Sequence, residues 1–196
     1  MKKWKKNIAP YVDISLFVVA LLAAHFFWKY TVLGDDGGEQ VLWFGMDITL
    51  LFDILATHVA SAVYWLVHLM RDTIHQLPNN TLFFDSGAGV HIVWSCTALK
   101  QSFIWLVIML VARGSWLKKL WFIPLGWVAI YVFNILRITA IVLIMEHHPE
   151  LFELMHTYVF KYLFYLMMFG LWVWWAHRVR YPNALFLKEW NPQIKE

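Results

Sequence analysis

The sequence changes from polar to apolar within the stretch His91-Ile92-Val93-Trp94-Ser95-Cys96-Thr97-Ala98-Leu99-Lys100-Gln101, which precedes an apolar run at 103–112. This stretch contains Cys96, the only cysteine among the 196 residues. A single cysteine cannot form an internal disulfide. Its thiol is therefore either a small buried hydrophobe at a helix start or a reactive group, and its neighbours in the fold must decide between the two.

The composition on both sides of this stretch is that of a membrane protein. Hydrophobic residues make up 61% of the chain and charged residues 15%, whereas an average soluble domain has about 25% charged residues. Several apolar runs are long enough to cross a bilayer. The sequence therefore predicts an all-α fold, a polytopic helical bundle that forms one integral membrane domain over residues 1–196. The net charge of +3 is small and the basic residues are clustered, which indicates topology signals and no nucleic-acid surface.

Hydrophobicity predicts about four spans and one further helical segment. The further segment, 43–71, is helix-like, but four polar residues interrupt it and its apolar residues favour one side: Asp47, Asp53, His58 and His68. That pattern is typical of an external amphipathic or re-entrant helix. Before Cys96, residues 82–84 and 90–94 flank an Asp-Ser-Gly turn and predict a short hairpin. The predicted spans are 11–30, 96–112, 120–145 and 155–176.

The distribution of lysine and arginine predicts the topology. These residues are concentrated at the N-terminus, in the loop 113–119 and in the tail 177–196. The loop 31–95 contains one of them, Arg71, and the loop 146–150 contains none. The positive-inside rule assigns the first three regions to the cytoplasm and the two loops to the outside. Four crossings satisfy every assignment, provided that 43–71 returns to the side from which it came.

This topology brings three reactive side chains to the outer side of the membrane. Cys96 lies at the outer end of the second span, and His156 begins the last span. Arg137 lies eight residues before Met145, about 12 Å from the outer end of its helix. An arginine inside an apolar run costs at least ~2.5 kcal/mol unless it is paired or faces a polar cavity. The sequence therefore predicts one outer pocket shared by three helices.

The three side chains are sufficient for acyl transfer through a thioester. A thiol is a competent nucleophile once a neighbouring base or cation favours its thiolate. His156 can take the proton of Cys96 and later deliver one to a leaving amine. Arg137 can hold an oxyanion or a substrate carboxylate. This chemistry requires no metal and no cofactor, and the adjacent His147 and His148 face apart on a helix, which does not suit a metal site.

Three blocks of sequence resemble the signature blocks of the exosortase/archaeosortase family, in the same order and on the corresponding spans. They are Trp94-Ser95-Cys96-Thr97-Ala98-Leu99-Lys100, Asn134-Ile135-Leu136-Arg137-Ile138 and His156-Thr157-Tyr158-Val159-Phe160. The resemblance covers 90–175 and is closest to the compact, minimal branch of the family. It implies that Cys96 is the nucleophile and that Arg137 and His156 are its catalytic partners. One departure follows the cysteine, where many members have a glycine-containing pair and this chain has Thr97-Ala98.

The resemblance also implies a substrate and a location. The family cuts a C-terminal sorting signal, made of a short motif, an apolar helix and a basic cluster, and passes the freed carboxyl group to an acceptor. The partners would be substrate proteins with such signals, and the site would face outward from the cytoplasmic (inner) membrane of a bacterium or archaeon. Residues 90–176 would form the catalytic core and 177–196 a cytoplasmic tail, while 1–90 contains no recognised motif. Asn134 and Lys100 are candidates for substrate binding.

Two other interpretations remain open on sequence alone. An intramembrane cysteine protease would use the same residues, with water in place of an amine to resolve the thioester. A non-catalytic membrane scaffold for export would use Arg137 as a structural residue, paired with an acidic side chain. Its candidate partners are Asp47, Asp53 and Glu153.

Overall fold

The computed structural model describes residues 2–34 and 40–179, with the backbone alone for 2–10. The acidic loop at 35–39 and the tail from 180 lie outside these residues. Short 3₁₀ helices occur at Trp94–Thr97 and Pro149–Leu151, and π-helical segments at Leu154–Val159 and Trp175–Val179. The α-helices of the described residues are α1 (Lys2–Thr31), α2 (Thr49–His68), α3 (Leu99–Val111), α4 (Trp116–His147) and α5 (Phe160–Trp174).

The predicted all-α membrane bundle is confirmed. Within 2–34 and 40–179, four helical segments are long and apolar enough to cross a membrane: Tyr11–Thr31, Thr49–His68, Trp116–His147 and Pro149–Val179. Tyr11–Thr31 has 21 residues, about 32 Å of helix, against a hydrocarbon core of about 30 Å. The number of segments agrees with the prediction, but their identity differs in one place, because α3 is shorter than a span and α2 is long enough to be one.

The predicted span at 96–112 begins later than expected. Trp94–Thr97 form a 3₁₀ helix, here named the cysteine turn, and Ala98 has the left-handed conformation, with φ of 60°. The hydroxyl of Thr97 donates to the carbonyl of Trp94 at 2.8 Å and closes the turn. The α-helix therefore starts at Leu99 and has 13 residues.

α3 packs along the N-terminal half of α4, residues 116–130. The indole of Trp127 donates to the carbonyl of Ser102 at 3.1 Å, and the ammonium of Lys119 donates to the carbonyl of Leu110 at 3.1 Å. Trp105 is fully buried between these two contacts, and a methyl group at Gly126 would overlap its indole. The glycine thus allows α3 and α4 to approach closely, as small residues do between membrane helices.

α2 packs along the C-terminal half of α4, residues 131–147. His58 hydrogen-bonds Tyr131 at 3.0 Å, and Arg71, just beyond the end of α2, lies 3.7 Å from Glu146. Because α4 has 32 residues and is about 48 Å long, α2 and α3 lie end to end along it. If α1, α3 and the start of α4 fill the hydrocarbon core of about 30 Å, α2 lies outside that core, as the predicted topology requires. That α2 stays outside the membrane remains a prediction.

The helix predicted at 43–71 also begins later, at Thr49. Its first residues form β2 (Val41–Trp43) and β3 (Met46–Asp47), which continue an antiparallel sheet from β1 (Val32–Gly34). The carboxylate of Asp47 accepts from the backbone N–H of Thr49 at 2.9 Å. Asp47 therefore precedes the helix and does not interrupt it, since it satisfies a donor at the helix start.

The hairpin predicted before Cys96 is confirmed and has a third strand. β5 (Thr81–Phe84) pairs with β6 (Gly89–His91), with Leu82 opposite Val90. β4 (Ile74–Gln76) pairs with the other edge of β5. This sheet, α2 and the C-terminal half of α4 enclose one apolar core, whereas α1, α3, α5 and the N-terminal half of α4 enclose another.

Candidate active site

Cys96 is held between the cysteine turn and α4. Its side chain is partly buried and packs against the core formed by α2, the second sheet and α4. Its backbone N–H donates to the carbonyl of Val93 at 2.9 Å. The side-chain amide of Asn134 donates to the carbonyl of Cys96 at 2.7 Å. The Asn134 bond therefore ties the backbone of the cysteine turn to α4.

The residue after the turn has the backbone conformation of a glycine. Ala98 has φ of 60° and ψ of 12° and is buried. For a residue with a Cβ this conformation costs about 1–2 kcal/mol. The turn therefore keeps a left-handed residue two positions after Cys96 although the sequence has alanine there. Strain of this kind is often found at functional sites.

Arg137 is a buried cation without a carboxylate partner in the described parts of the chain. It is 9% exposed, and its Nε has no hydrogen-bond partner there. The guanidinium lies over the ring of Phe164, 6.0 Å from its centre. It is close enough to the thiol of Cys96 and the imidazole of His156 to interact with both electrostatically.

The proposed acidic partners of a structural Arg137 do not reach it. None of the ion pairs between residues in 2–34 and 40–179 involves Arg137. Asp47 instead accepts hydrogen bonds from Thr49 and Gln40. An unpaired cation that remains buried beside a thiol is more easily explained by a ligand or a reaction than by structural support.

His156 occupies the π-helical segment Leu154–Val159, just before α5. Its ring is partly buried and stacks on Phe152, with 5.3 Å between centroids and 8° between planes. π-helical turns are rare and are frequently found at functional sites. The wider turn changes the direction of the side chains relative to a regular α-helix, and this is where the chain provides an imidazole near Arg137.

The structure thus places Arg137 within electrostatic range of Cys96 and of His156, the other two residues predicted as a catalytic set. Of the two candidates for substrate binding, one is engaged with the cysteine turn and the other lines a cavity beside it. Asn134 is 1% exposed and donates to Cys96, so it positions the cysteine turn. Lys100 lines a cavity of about 200 Å³ together with Ser95 and Thr97, the two neighbours of Cys96.

Two features of the site region are absent from the sequence-based prediction. One is the link between Asn134 and the carbonyl of Cys96, which joins residues 38 positions apart. The other is the presence of Lys29 and Lys161 near Lys100. A signal for the second feature exists in the sequence, because Lys29 lies near the C-terminal end of α1 and Lys161 near the N-terminal end of α5. The predicted topology puts these two ends on the same side of the membrane.

Comparison with known proteins identifies the family. The family model described as transmembrane exosortase (Exosortase_EpsH) matches residues 40–174, more than half of the chain. It includes all three catalytic candidates and begins well before residue 90, where the recognised motifs start. A search of curated proteins and a search of solved structures found no match. The chain is an integral membrane protein and belongs to the transmembrane exosortase family.

Proposed function

We propose that this protein is a membrane-embedded cysteine transpeptidase that cleaves a C-terminal sorting signal and transfers the product to an acceptor. One observation carries the proposal: Arg137, which has no carboxylate partner among the described residues, lies within electrostatic range of Cys96 and of His156, which come from two other segments of the chain. Membership of the exosortase family supports it. A scaffold would not need a thiol and an imidazole within electrostatic range of an unpaired guanidinium.

The roles follow from the chemistry of each group. His156 takes the proton of the Cys96 thiol, and the thiolate sulfur attacks the carbonyl carbon of the scissile peptide bond. Arg137 donates to the oxygen that becomes negative. The carbon–nitrogen bond then breaks, His156 returns its proton to the leaving amine, and a thioester remains on Cys96. An acceptor amine attacks the thioester, forms a new amide and releases the thiol.

The substrate class and the side of the membrane belong to the same proposal. A signal with an apolar helix would lie beside the bundle, with its motif at the cysteine turn and its basic tail in the cytoplasm. Lys118 and Lys119 lie at the start of α4, and Arg137 lies 21 residues after Trp116, about 32 Å along the same helix. Under the positive-inside rule the lysines are cytoplasmic, so the catalytic residues face the outside.

The test of the proposal is substitution of Cys96 in cells that co-express a protein with such a C-terminal signal. Cys96→Ala and Cys96→Ser should insert and fold normally but leave the substrate uncleaved, because a hydroxyl is a far poorer nucleophile without a stronger base. The wild type should also form a substrate adduct that hydroxylamine releases. The matched control is Ser86→Ala, at an exposed residue in the turn between β5 and β6, which should process normally. Full processing by Cys96→Ala would contradict the proposal.

The same experiment separates transfer from hydrolysis. A mass spectrum of the processed substrate should show an added acceptor at the new C-terminus. A free carboxylic acid there, with no adduct at any time point, would indicate an intramembrane cysteine protease.

A further inference from the structure

Three lysines from three helices meet at the same end of the bundle. Tyr165 of α5 hydrogen-bonds His25 of α1 at 3.3 Å, and Phe169 of α5 packs on Phe17 of α1. These two contacts show that α1 and α5 run in opposite directions. Lys29 lies one turn after His25, and Lys161 lies one turn before Tyr165, so the two lysines form the next layer on the facing sides of the helices.

Lys100 completes the cluster from α3. Phe103, three residues later, packs on Phe27 and Trp28 of α1 and fixes the start of α3 beside the end of α1. Lys29 and Lys100 both line the cavity of about 200 Å³. Its remaining walls are Trp28, Val32, Phe52, Trp94, Ser95 and Thr97.

The charges of this lysine cluster are not balanced within the described residues. Lys29 and Lys161 repel Lys100, and all three repel a protonated His25. None of the three lysines has an ion-pair partner in 2–34 or 40–179. Like charges that the fold holds together without a counter-charge destabilise the protein unless an anion joins them.

The side chains around the lysine cluster suit a bound lipid. Phe26 and Leu22, three and seven residues before Lys29 on the same face of α1, are exposed apolar side chains. Leu166, on α5 beyond Lys161, is also exposed. Lys29 lies 16 residues after Asp13, about 24 Å along the helix, whereas the hydrocarbon core is about 30 Å thick. The lysines therefore lie close to one boundary of the core, where phospholipid phosphates are found.

We propose that the lysine cluster binds the phosphate of a membrane phospholipid, with the headgroup at the cavity and the acyl chains along Leu22, Phe26 and Leu166. Apolar side chains below the cations favour a lipid over an acidic segment of a protein. The site uses none of the proposed catalytic residues, although its cavity borders the cysteine turn. It is measured as binding, so its failure can be distinguished from failure of the proposed function.

The experiment is native mass spectrometry of the full chain in detergent, titrated with dioleoyl-phosphatidylglycerol. The wild type should bind one phosphatidylglycerol molecule more tightly than any further ones. Lys29→Gln/Lys161→Gln should bind about 30-fold more weakly, the change expected when two lysines near a membrane surface lose an anionic headgroup. Arg71→Gln/Arg178→Gln removes two exposed positive charges at other positions and should bind as the wild type does. If the double variant does not fold, Lys100→Gln alone should weaken binding about fivefold.

Other ligands identify what the site recognises. Dioleoylglycerol, which lacks phosphate, should not bind. Inorganic phosphate should displace the phospholipid only at a far higher concentration than that of the lipid. Displacement at equal concentration would overturn the lipid as the ligand and identify a free phosphate ion instead. Displacement of the lipid by an equimolar glutamate-containing peptide would overturn the proposal in favour of an acidic polypeptide. Equal lipid binding by the wild type and both lysine variants would also overturn it.

Discussion

The two halves of α4 differ in whether their buried polar groups have hydrogen-bond partners. In the N-terminal half, the buried Lys119 donates to a backbone carbonyl, and the fully buried Trp105 on α3 donates to the carbonyl of Ile123 at 3.3 Å. The C-terminal half contains Asn134, Arg137 and Thr139 as buried polar residues. Of these, the Nε of Arg137 and the hydroxyl of Thr139 have no partner in the described residues.

This difference shows where the helix supports the fold and where it serves chemistry. A buried donor without a partner costs about 1–3 kcal/mol, so most proteins satisfy such groups. The N-terminal half follows that rule and joins α3 to α4. The C-terminal half departs from it beside a thiol and an imidazole. Substitutions in the first half should therefore change stability, and substitutions of Asn134 and Arg137 in the second half should change activity.

The largest effect is expected at Arg137. Arg137→Lys keeps the charge but loses the planar fork of donors, and loss of one oxyanion donor typically lowers the rate ~10²–10³-fold. The thermal midpoint should stay close to that of the wild type, because no ion pair of Arg137 is lost among the described residues. Substrate processing and thermal unfolding in detergent measure the two quantities.

The control for this variant is Arg71→Lys, at an exposed arginine that lies near Glu146. It should process substrate normally. Near-normal processing by Arg137→Lys would show that the site needs a positive charge and no paired hydrogen bonds. The assignment of chemistry to the C-terminal half of α4 would then lose its main support.

The next effect is expected in the N-terminal half, at the contact with α3. Trp105→Ala removes a fully buried indole against Gly126 and should destabilise the protein by about 2–3 kcal/mol. The value lies below the ~3–5 kcal/mol of soluble cores, because helix association in lipid lacks their hydrophobic term. Unfolding in denaturing detergent measures it, and Trp121→Ala, at an exposed tryptophan, is the control. A stable Trp105→Ala protein that loses processing would contradict the division.

The membrane class and the helical bundle can be predicted from the sequence, and so can a set of candidate catalytic residues. Hydrophobic length predicts spans, and a lone Cys96, a buried Arg137 and a helix-start His156 predict an outer pocket once basic residues fix the topology. The structure places Arg137 within electrostatic range of the other two. Their catalytic roles stay a prediction.

Helix bounds and local geometry could not be predicted. Hydropathy carries no information on backbone conformation, so it could not predict that a left-handed Ala98 would make α3 begin at Leu99. It also could not predict that strand pairing would make α2 begin at Thr49, because that pairing joins separate segments. Hydropathy also assigned the second span to 96–112, although α2 is the longer apolar helix. The length of α4, about 48 Å, explains why both α2 and α3 pack against it, one after the other along its axis.

The smallest expected effect tests how the C-terminal half positions Cys96. Asn134→Leu keeps a similar volume but removes the amide that donates to the carbonyl of Cys96. The loss of one hydrogen bond, about 0.5–1.5 kcal/mol, should slow processing about tenfold at most and leave the protein folded. Asn134 acts on the backbone and not on the thiol, so the pH dependence of Cys96 alkylation should keep its midpoint while its rate changes.

Thr139→Val is the matched control for Asn134→Leu on the same helix. It removes a buried hydroxyl that has no partner among the described residues, with little change in volume, so activity should stay the same and stability should stay equal or rise. If both variants lose activity equally, the C-terminal half depends on polarity in general and not on the Asn134 contact. If Asn134→Leu alone slows the reaction and the alkylation midpoint stays fixed, the amide acts by holding the cysteine turn against α4.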